Sequence, residues 1–261
     1  MQLGGGSSYR RVAVGLRPVV FLALLLGIWQ VAVWRHPGGL LPGPVGVAYG
    51  IVDLVQHGLL VKYAVASLFR VTWGFLLAVV TAIPLGLTVG WYRRAEMAVN
   101  PLVQLFRPIS PLAWIPIAIL WFGVGDMAAI FLIFVGCFFP LMLTAMSAVH
   151  SVPEMYVRAG RNFGLSTREF VARVLYPAVM PQLLAGARIT LGIAWLVVVA
   201  AEMISVNSGL GFLIVDARNA GNRYDLVVAG MVLIGLIGLG LDLGMRSLER
   251  VKSFRWGYSG D

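Results

Sequence analysis

The chain has 261 residues, of which 59% are hydrophobic and only 12% are charged. A soluble globular domain usually carries about 25% charged residues, so these few charges are too sparse to cover a soluble surface. The net charge is +9, but the cations lie in short groups between long apolar runs, which favours a multi-pass membrane protein over a nucleic-acid-binding protein.

The reactive residue types are sparse. Cys137 is the only cysteine and has no partner for an intramolecular disulfide, and the three histidines do not stand at metal-binding spacings. The chain has no GxxxxGK[ST] phosphate-binding loop and no cluster of acids, histidines or activated nucleophiles. We therefore expect no metal site, no cofactor bound by this chain and no catalytic residues, and we do not expect an enzyme.

The first apolar run, at residues 18–34, follows a basic tail at residues 1–17. A secretory signal peptide is the competing interpretation. The run is about as long as a spanning helix requires, and bulky Arg35 and His36 follow it instead of small residues, so an uncleaved first span is favoured. A Pro/Gly-rich stretch and a short amphipathic segment at residues 45–60 then precede the second span, at residues 71–92.

The third predicted span, at residues 102–123, is interrupted by Pro108, Pro111 and Pro116. Prolines that lie this close together distort a helix. Irregular backbone at membrane depth is usually packed in protein or lines a cavity. We therefore expect this span to line a translocation path, with a plain packing kink as the alternative.

The fourth span is predicted at residues 127–149, and the very short loop before it makes it an antiparallel neighbour of the third. A long polar segment at residues 150–182 precedes the fifth span (183–204). A Gly- and Asn-containing loop is expected at residues 205–225, before the sixth span (226–245). The sequence thus predicts an all-α membrane bundle of about six spanning helices at residues 18–245, with basic tails at residues 1–17 and 246–261.

The Lys/Arg distribution indicates the orientation. With six spans and a cytoplasmic N-terminus, most of the 20 Lys and Arg residues fall in cytoplasmic segments. Cytoplasmic loops of membrane proteins carry such an excess. We therefore expect both termini and residues 150–182 to lie on the cytoplasmic side of a bacterial inner membrane.

The 150–182 segment has the pattern of helix, turn, helix. Gly164 suits a turn that requires positive φ, and Ser166 with Glu169 three residues later matches a capping box. We expect the first helix at about residues 153–163 and the second to end at Pro177.

This segment resembles the EAA signature of permeases of the ATP-binding cassette (ABC) importers. Ala159, Gly164 and Pro177 stand at the matching positions, whereas Arg158 replaces the Glu and Gly160 replaces the second Ala. Further matches in the same order extend the resemblance over about residues 63–250. They include Ser67-Leu68-Phe69-Arg70-Val71, Leu120-Trp121-Phe122-Gly123-Val124-Gly125, and the series Pro177, Pro181, Gly186, Arg188, Trp195 and Glu202.

The chain is therefore similar to the nitrate, sulfonate, taurine and bicarbonate branch of binding-protein-dependent permeases, and residues 107–114 look closest to nitrate and bicarbonate permeases. This resemblance implies a MetI-like fold, a second permease copy, cytoplasmic ATPase subunits that bind ATP and Mg, and a periplasmic or lipid-anchored binding protein. It implies a small anion as substrate, with another small organic solute such as a thiamine-precursor pyrimidine as the alternative. It also implies an ATPase-coupling loop formed by Arg158, Ala159, Gly160, Arg161, Phe163, Gly164, Leu165, Ser166 and Pro177.

Residues of the substrate path are harder to assign. Ionisable groups inside a membrane are costly, so they are functional candidates. The candidates, with neighbouring polar and aromatic residues, are Arg107, Ser110, Pro111, Trp114, Arg188, Trp195 and Glu202. Structural alternatives remain open: Arg188 can reach the interface as a snorkelling side chain, and Glu202 can pair near the outer end of its span.

Three other classes compete with an ABC permease. A secondary transporter usually shows coupling-ion residues near the midplane, and spans one to four have no carboxylate there. A membrane enzyme needs a cluster of reactive groups, which the sequence lacks. A purely structural membrane subunit is the third alternative.

Overall fold

The computed structural model describes residues 6–35 and 41–249, with side chains from residue 20 onward except that of Arg161. The described part is helical and contains no strand. Its helices are α1 (Gly6–Arg35), α2 (Pro44–Gln56), α3 (Leu59–Trp91), α4 (Arg93–Phe106), α5 (Ile115–Phe122), α6 (Asp126–His150), α7 (Glu154–Asn162), α8 (Thr167–Phe170), α9 (Tyr176–Ser205), α10 (Leu210–Asn219) and α11 (Tyr224–Glu249). A 3₁₀ turn (Pro111–Trp114) precedes α5, and a π-helical turn (Val171–Leu175) joins α8 to α9.

Within residues 6–35 and 41–249, four helical stretches are long and apolar enough to cross a membrane: α3, α6, the continuous run Thr167–Ser205, and α11. They confirm the second, fourth, fifth and sixth predicted spans. The first predicted span lies in α1, whose described apolar part, Val20–Arg35, is shorter. Helix α4 and the stretch Pro111–Phe122 together form a fifth candidate crossing, bent by 85°.

A row of small residues joins α3 to α6. Gly74, Ala78, Ala82, Gly86 and Gly90 recur every fourth residue on one face of α3, and both alanines are fully buried. Such a row allows two membrane helices to approach backbone to backbone, because lipid supplies no hydrophobic force to press them together.

The contacts between this row of small residues and α6 show that α3 and α6 run parallel. A Cβ on Gly74 would lie 2.7 Å from Ile133, and one on Gly90 would lie 2.9 Å from the Cα of Met146. The chain between α3 and α6 must therefore cross back to the other end of the bundle. Helix α4 and the stretch Pro111–Phe122 form this crossing. The broken third span predicted from its prolines is thus present. It packs antiparallel to α6, because Phe106 near its start stacks on Phe139 (ring centroids 5.7 Å apart) whereas Phe122 at its end lies beside Phe131 (5.3 Å).

The remaining spans alternate in direction. Thr144 of α6 packs against Gly186 of α9, and Trp195 of α9 donates its indole N–H to the carbonyl of Ile234 in α11 (3.0 Å). Residues 150–176 therefore lie at the same end of the bundle as Trp91 and the end of α11; we call this the hairpin end. The opposite end, which carries α2 and α10, is the cap end.

Polar contacts hold the cap end together. Arg223 joins Asp53 of α2 to Asp225 at the start of α11, with N–O distances of 3.0 and 2.7 Å. The hydrogen bonds that Arg223 donates to the carboxylates of Asp225 and Asp53 raise the pKa of its guanidinium above its usual value. This contact fixes α2, which the sequence predicted as an amphipathic segment, against the bundle.

Two predictions about the secondary structure are wrong, one for the helix end at Pro177 and one for the loop before the last span. The helix that begins after Ser166 does not end at Pro177 but continues through the π-helical turn into α9. Pro177 lies in the first turn of α9, where the wider π turn has already interrupted the regular hydrogen bonds, so its missing N–H is tolerated. The segment between the fifth and sixth spans, expected to be a loop, contains α10.

Candidate functional site

The hairpin, residues 154–170, is a rigid helix–turn–helix element. Gly164 has a φ of +68° between α7 and α8, and Leu165 donates its N–H to the carbonyl of Gly160 (3.1 Å). Ser166 and Glu169 form the predicted capping box, with Glu169 accepting from the N–H of Ser166 at 3.0 Å. The turn and the cap fix the angle between the two helices.

Phe170 attaches the hairpin to the membrane bundle. Its side chain is only 6% exposed, and its ring centroid lies 5.3 Å from that of Trp91 at the end of α3. A Cβ added to Gly160 would lie 2.7 Å from the Phe170 ring. Glycine at the second Ala position of the signature therefore makes room for Phe170, and α7 packs directly on it.

The other face of the hairpin is open. Phe163 is 84% exposed, and Arg158 is exposed with Glu154 as an i,i+4 partner at 2.9 Å. Ala159 and Leu165 are half-buried, Ser166 is exposed and Pro177 is half-buried. The side chain of Arg161 lies outside the described residues. The predicted loop residues thus divide into a face that packs on the bundle and a face free to meet another surface.

A fully buried ion pair lies at the cap end. Arg70 of α3 is 2% exposed and Glu202 of α9 is 0% exposed, with 2.6 Å between Nη1 and Oε1. Arg70 also donates to the carbonyl of Ser208 at 2.8 Å and to Asp126 at the start of α6. A buried ion pair is tolerated only when its remaining polar atoms are also satisfied, as they are here.

Glu202 is held by several donors. Its Oε2 accepts from Ser67 Oγ (2.9 Å) and from the N–H of Gly211 in the first turn of α10 (2.9 Å). Gly209, with a φ of +107°, brings the chain so close to this carboxylate that no side chain fits there. Glu202 is therefore paired with Arg70, which is the structural alternative that the sequence left open for it. Its carboxylate does not line an open path in this conformation.

Arg188, a second predicted path residue, is also paired. Its Nε donates to Asp242 of α11 at 2.6 Å, and its Nη1 to Glu249 at 3.3 Å. Arg246 contacts the same Asp242 at 3.0 Å. This cluster joins the first half of α9 to the last part of α11, whereas Glu202 lies in the last turn of α9.

Four of the remaining path candidates lie at the bend between α4 and α5. Arg107 and Ser110 are exposed there. Ser110 Oγ accepts a hydrogen bond from the N–H of Leu112 (3.3 Å) and so caps the start of the 3₁₀ turn. Pro111 and Trp114 are half-buried. A cavity of about 260 Å³ lies beside the bend, lined by Phe106, Trp114, Phe131, Phe134, Val135, Phe138 and Phe139.

The structure thus brings together Arg107, Ser110, Pro111 and Trp114, but not Arg188, Trp195 and Glu202. The substrate path stays a prediction. Within the described residues, no group of three or more His, Cys, Asp and Glu side chains is placed to hold a metal ion.

The sequence indicated Arg70 only as part of a motif and did not predict its contacts with Asp126 and Glu202. An arginine directly before an apolar span is nevertheless a signal from which a buried ion pair could have been predicted.

Comparison with known proteins decides the family. Residues 74–253 match the protein family described as the binding-protein-dependent transport system inner membrane component. The chain belongs to this family of ABC importer permeases. A putative ABC transporter permease of Methanocaldococcus jannaschii is 42% identical to this permease over 240 residues, covering 90% of this chain and 89% of its own.

Some relatives have stated substrates, including taurine, aliphatic sulfonates and nitrate. The taurine transport system permease of Escherichia coli is 34% identical, with 88% of this permease and 86% of the relative covered. The nitrate import permease of Synechococcus elongatus is 34% identical, with coverage of 86% and 85%. The permease therefore belongs to the nitrate, sulfonate and taurine branch, as its sequence motifs indicated.

The fold is that of a solved importer. In an inward-facing structure of the MetNI methionine ABC transporter, the matched chain aligns with a TM-score of 0.66 at 21% identity, covering 74% of this permease and 95% of that chain. The MetI-like fold expected from the sequence is confirmed. The permease is a multi-pass membrane protein of a transport system that also includes ATPase and substrate-binding components.

Proposed function

We propose that this permease forms the translocation path for a small anion, such as nitrate, bicarbonate, taurine or another sulfonate, in an ATP-driven importer. The observation that carries the substrate class is the identity of about a third, over most of the chain, to permeases for taurine and for nitrate. Two copies of the chain pair, and a binding protein delivers the anion at the cap end.

The hairpin supports the coupling part of the proposal. It stands at one end of the bundle, packs on α3 through Phe170 and Trp91, and continues without a break from Thr167 into the spanning run that ends at Ser205. A cytoplasmic ATPase that binds ATP and Mg pushes the hairpin when it closes, and these two contacts pass the movement to α3 and α9. In this arrangement the hairpin, residues 1–17 and residues 246–261 are cytoplasmic.

Uptake into proteoliposomes tests the proposal. The permease is reconstituted with its ATPase and binding protein, and labelled nitrate, bicarbonate, taurine and a thiamine-precursor pyrimidine are supplied in turn. We expect uptake of one of the anions that requires ATP and is abolished by vanadate. Uptake of the pyrimidine alone would contradict the anion assignment, and uptake driven by an ion gradient without ATP would identify a secondary transporter instead.

A further inference from the structure

We propose that a groove between the end of α3 and the π-helical turn binds one anionic phospholipid of the leaflet on the hairpin side. An acyl chain lies along the apolar part of the groove, and the phosphate lies near Arg93, Arg94 and Arg168. The inference goes beyond the proposed function, because the ligand is a lipid of the surrounding membrane and is not the transported solute.

The groove begins between two elements of the bundle. Its first cavity, of about 120 Å³, is lined by Leu87 and Thr88 of α3 and by Val171 and Leu175 of the π-helical turn. The hydroxyl of Thr88 is used within α3, where it donates to two carbonyls of the preceding turn (2.6 and 2.8 Å). This part of the groove therefore offers mainly carbon surface, and an acyl chain that fills it gains dispersion contacts with both elements.

The groove continues towards the hairpin. A second cavity, of about 270 Å³, shares Trp91, Tyr92 and Thr167 with the first and reaches Val157 and Leu165. Tyr92 and Thr167 carry hydroxyl groups, which can donate to phosphate or ester oxygens. The groove thus changes from apolar to polar along its length, as a phospholipid does.

Three arginines adjoin residues that line the groove. Arg93 and Arg94 directly follow Tyr92, Arg168 directly follows Thr167, and all three arginines are exposed. Basic pockets beside membrane-spanning helices bind the head groups of anionic lipids. The arginines are therefore placed to meet a phosphate at the polar part of the groove.

The acidic residues nearest to these arginines along the chain already have partners. Glu96 contacts His150 at 3.3 Å, and Glu169 forms the capping box of α8. Residues 91–96 and 167–176 together contain four arginines and these two glutamates, so the segments beside the groove carry a net positive charge. This charge favours an anionic lipid over a zwitterionic one.

The position of the groove along α3 suits a lipid better than a free anion. Trp91 and Tyr92 come at the end of the apolar helix and are followed by Arg93 and Arg94. Aromatic residues next to basic ones are typical of the head-group level of a membrane. Leu87 lies one turn, about 6 Å, further back along α3 towards the bilayer centre. The groove therefore joins the level of the head groups to that of the acyl chains.

A second copy of the permease fits the groove less well. In a two-fold pair the same surface patch meets itself, so contact through this groove would bring Arg93 and Arg94 close to their own copies. Like charges that face each other across an interface are unfavourable. A phospholipid supplies the opposite charge instead.

Native mass spectrometry of the assembled importer, the permease with its ATPase subunits, tests the proposal. The complex in detergent is titrated with phosphatidylglycerol or with phosphatidylcholine. We expect one phosphatidylglycerol per permease chain, bound about tenfold or more tightly than phosphatidylcholine. Arg93→Gln combined with Arg94→Gln should weaken phosphatidylglycerol binding about tenfold or more. Arg218→Gln, at an exposed arginine of α10, should leave it unchanged.

Filling the apolar cavity is a second test with a closely matched control. Thr88→Trp places a ring where the acyl chain lies and should weaken phosphatidylglycerol binding about fivefold or more, because both compete for the same space. Thr81→Trp is the control. Thr81 is exposed on the same helix, donates in the same way to the carbonyl of Leu77 (2.7 Å), and does not line either cavity.

Four outcomes would overturn the inference. Equal binding of the two lipids would remove the charge selectivity, and full binding by both the arginine variant and Thr88→Trp would place the lipid elsewhere. Displacement of the lipid by inorganic phosphate alone would reduce the site to a simple anion site. Absence of phosphatidylglycerol from the assembled importer would show that a protein surface covers the groove. None of these readouts depends on the transported solute, so the proposed function is tested separately.

Discussion

Gly160 is a residue whose missing side chain determines how the hairpin sits. Because a Cβ there would overlap the ring of Phe170, Gly160→Leu should displace Phe170 from Trp91 and loosen the hairpin from α3. We expect ATP-dependent uptake to fall about fivefold or more while membrane insertion stays normal. Gly27→Leu is the matched control, since nothing lies within 4 Å of a Cβ at Gly27. Equal uptake by both variants would count against a mechanical role for Phe170.

The buried pair of Arg70 and Glu202 makes a different prediction, about stability. Removing one partner of a buried ion pair leaves an uncompensated charge and costs about 3–5 kcal/mol. Glu202→Gln should therefore lower the unfolding free energy in mixed micelles by about this amount, and Arg70→Met with Glu202→Leu should cost less than Glu202→Gln alone. Arg223→Gln, at a pair about half exposed, should cost about 1 kcal/mol or less. Wild-type stability in Glu202→Gln would refute the assignment.

At the scale of helices, the turn between α5 and α6 controls where the bent crossing ends. Gly123 has a φ of +73° and a ψ of −176°, a conformation that is essentially restricted to glycine. Gly123→Ala should cost about 1–3 kcal/mol and lower the thermal midpoint of the permease in detergent. Gly235→Ala, within α11 and in open space, should be neutral or slightly stabilising. A lower midpoint in Gly235→Ala than in Gly123→Ala would contradict this explanation.

Sequence reasoning predicted helices best where one local signal decided them. Apolar length located the long spans, three prolines predicted the broken crossing, and Ser166 with Glu169 predicted the start of α8. It failed at Pro177, where the proline rule is overridden by a preceding π-helical turn that no residue type announces. It also missed α10, because a short helix packed against the bundle has neither the length nor the apolar run of a span.

At the scale of the whole molecule, the fold brings together groups that local patterns cannot relate. Arg70 meets Asp126 across 56 positions of sequence and Glu202 across 132. The hairpin could be predicted because its turn and cap lie within a few residues, but its attachment through Phe170 and Trp91 could not. For the same reason the sequence could not show that two candidate path residues have different partners: Arg188 pairs with Asp242 of α11, and Glu202 pairs with Arg70 of α3.

The length of α3 relates the molecule to the thickness of the bilayer. Its 33 residues extend about 50 Å, whereas the hydrocarbon layer is about 30 Å thick. The charge-free part between Arg70 and the end of the helix, residues 71–91, spans about 31 Å. We therefore expect the Arg70–Glu202 pair and the Trp91–Phe170 stack to lie near the two boundaries of the hydrocarbon layer. The pair would then mark the depth that water reaches from the cap end, and the stack would be an aromatic anchor on the side of the hairpin.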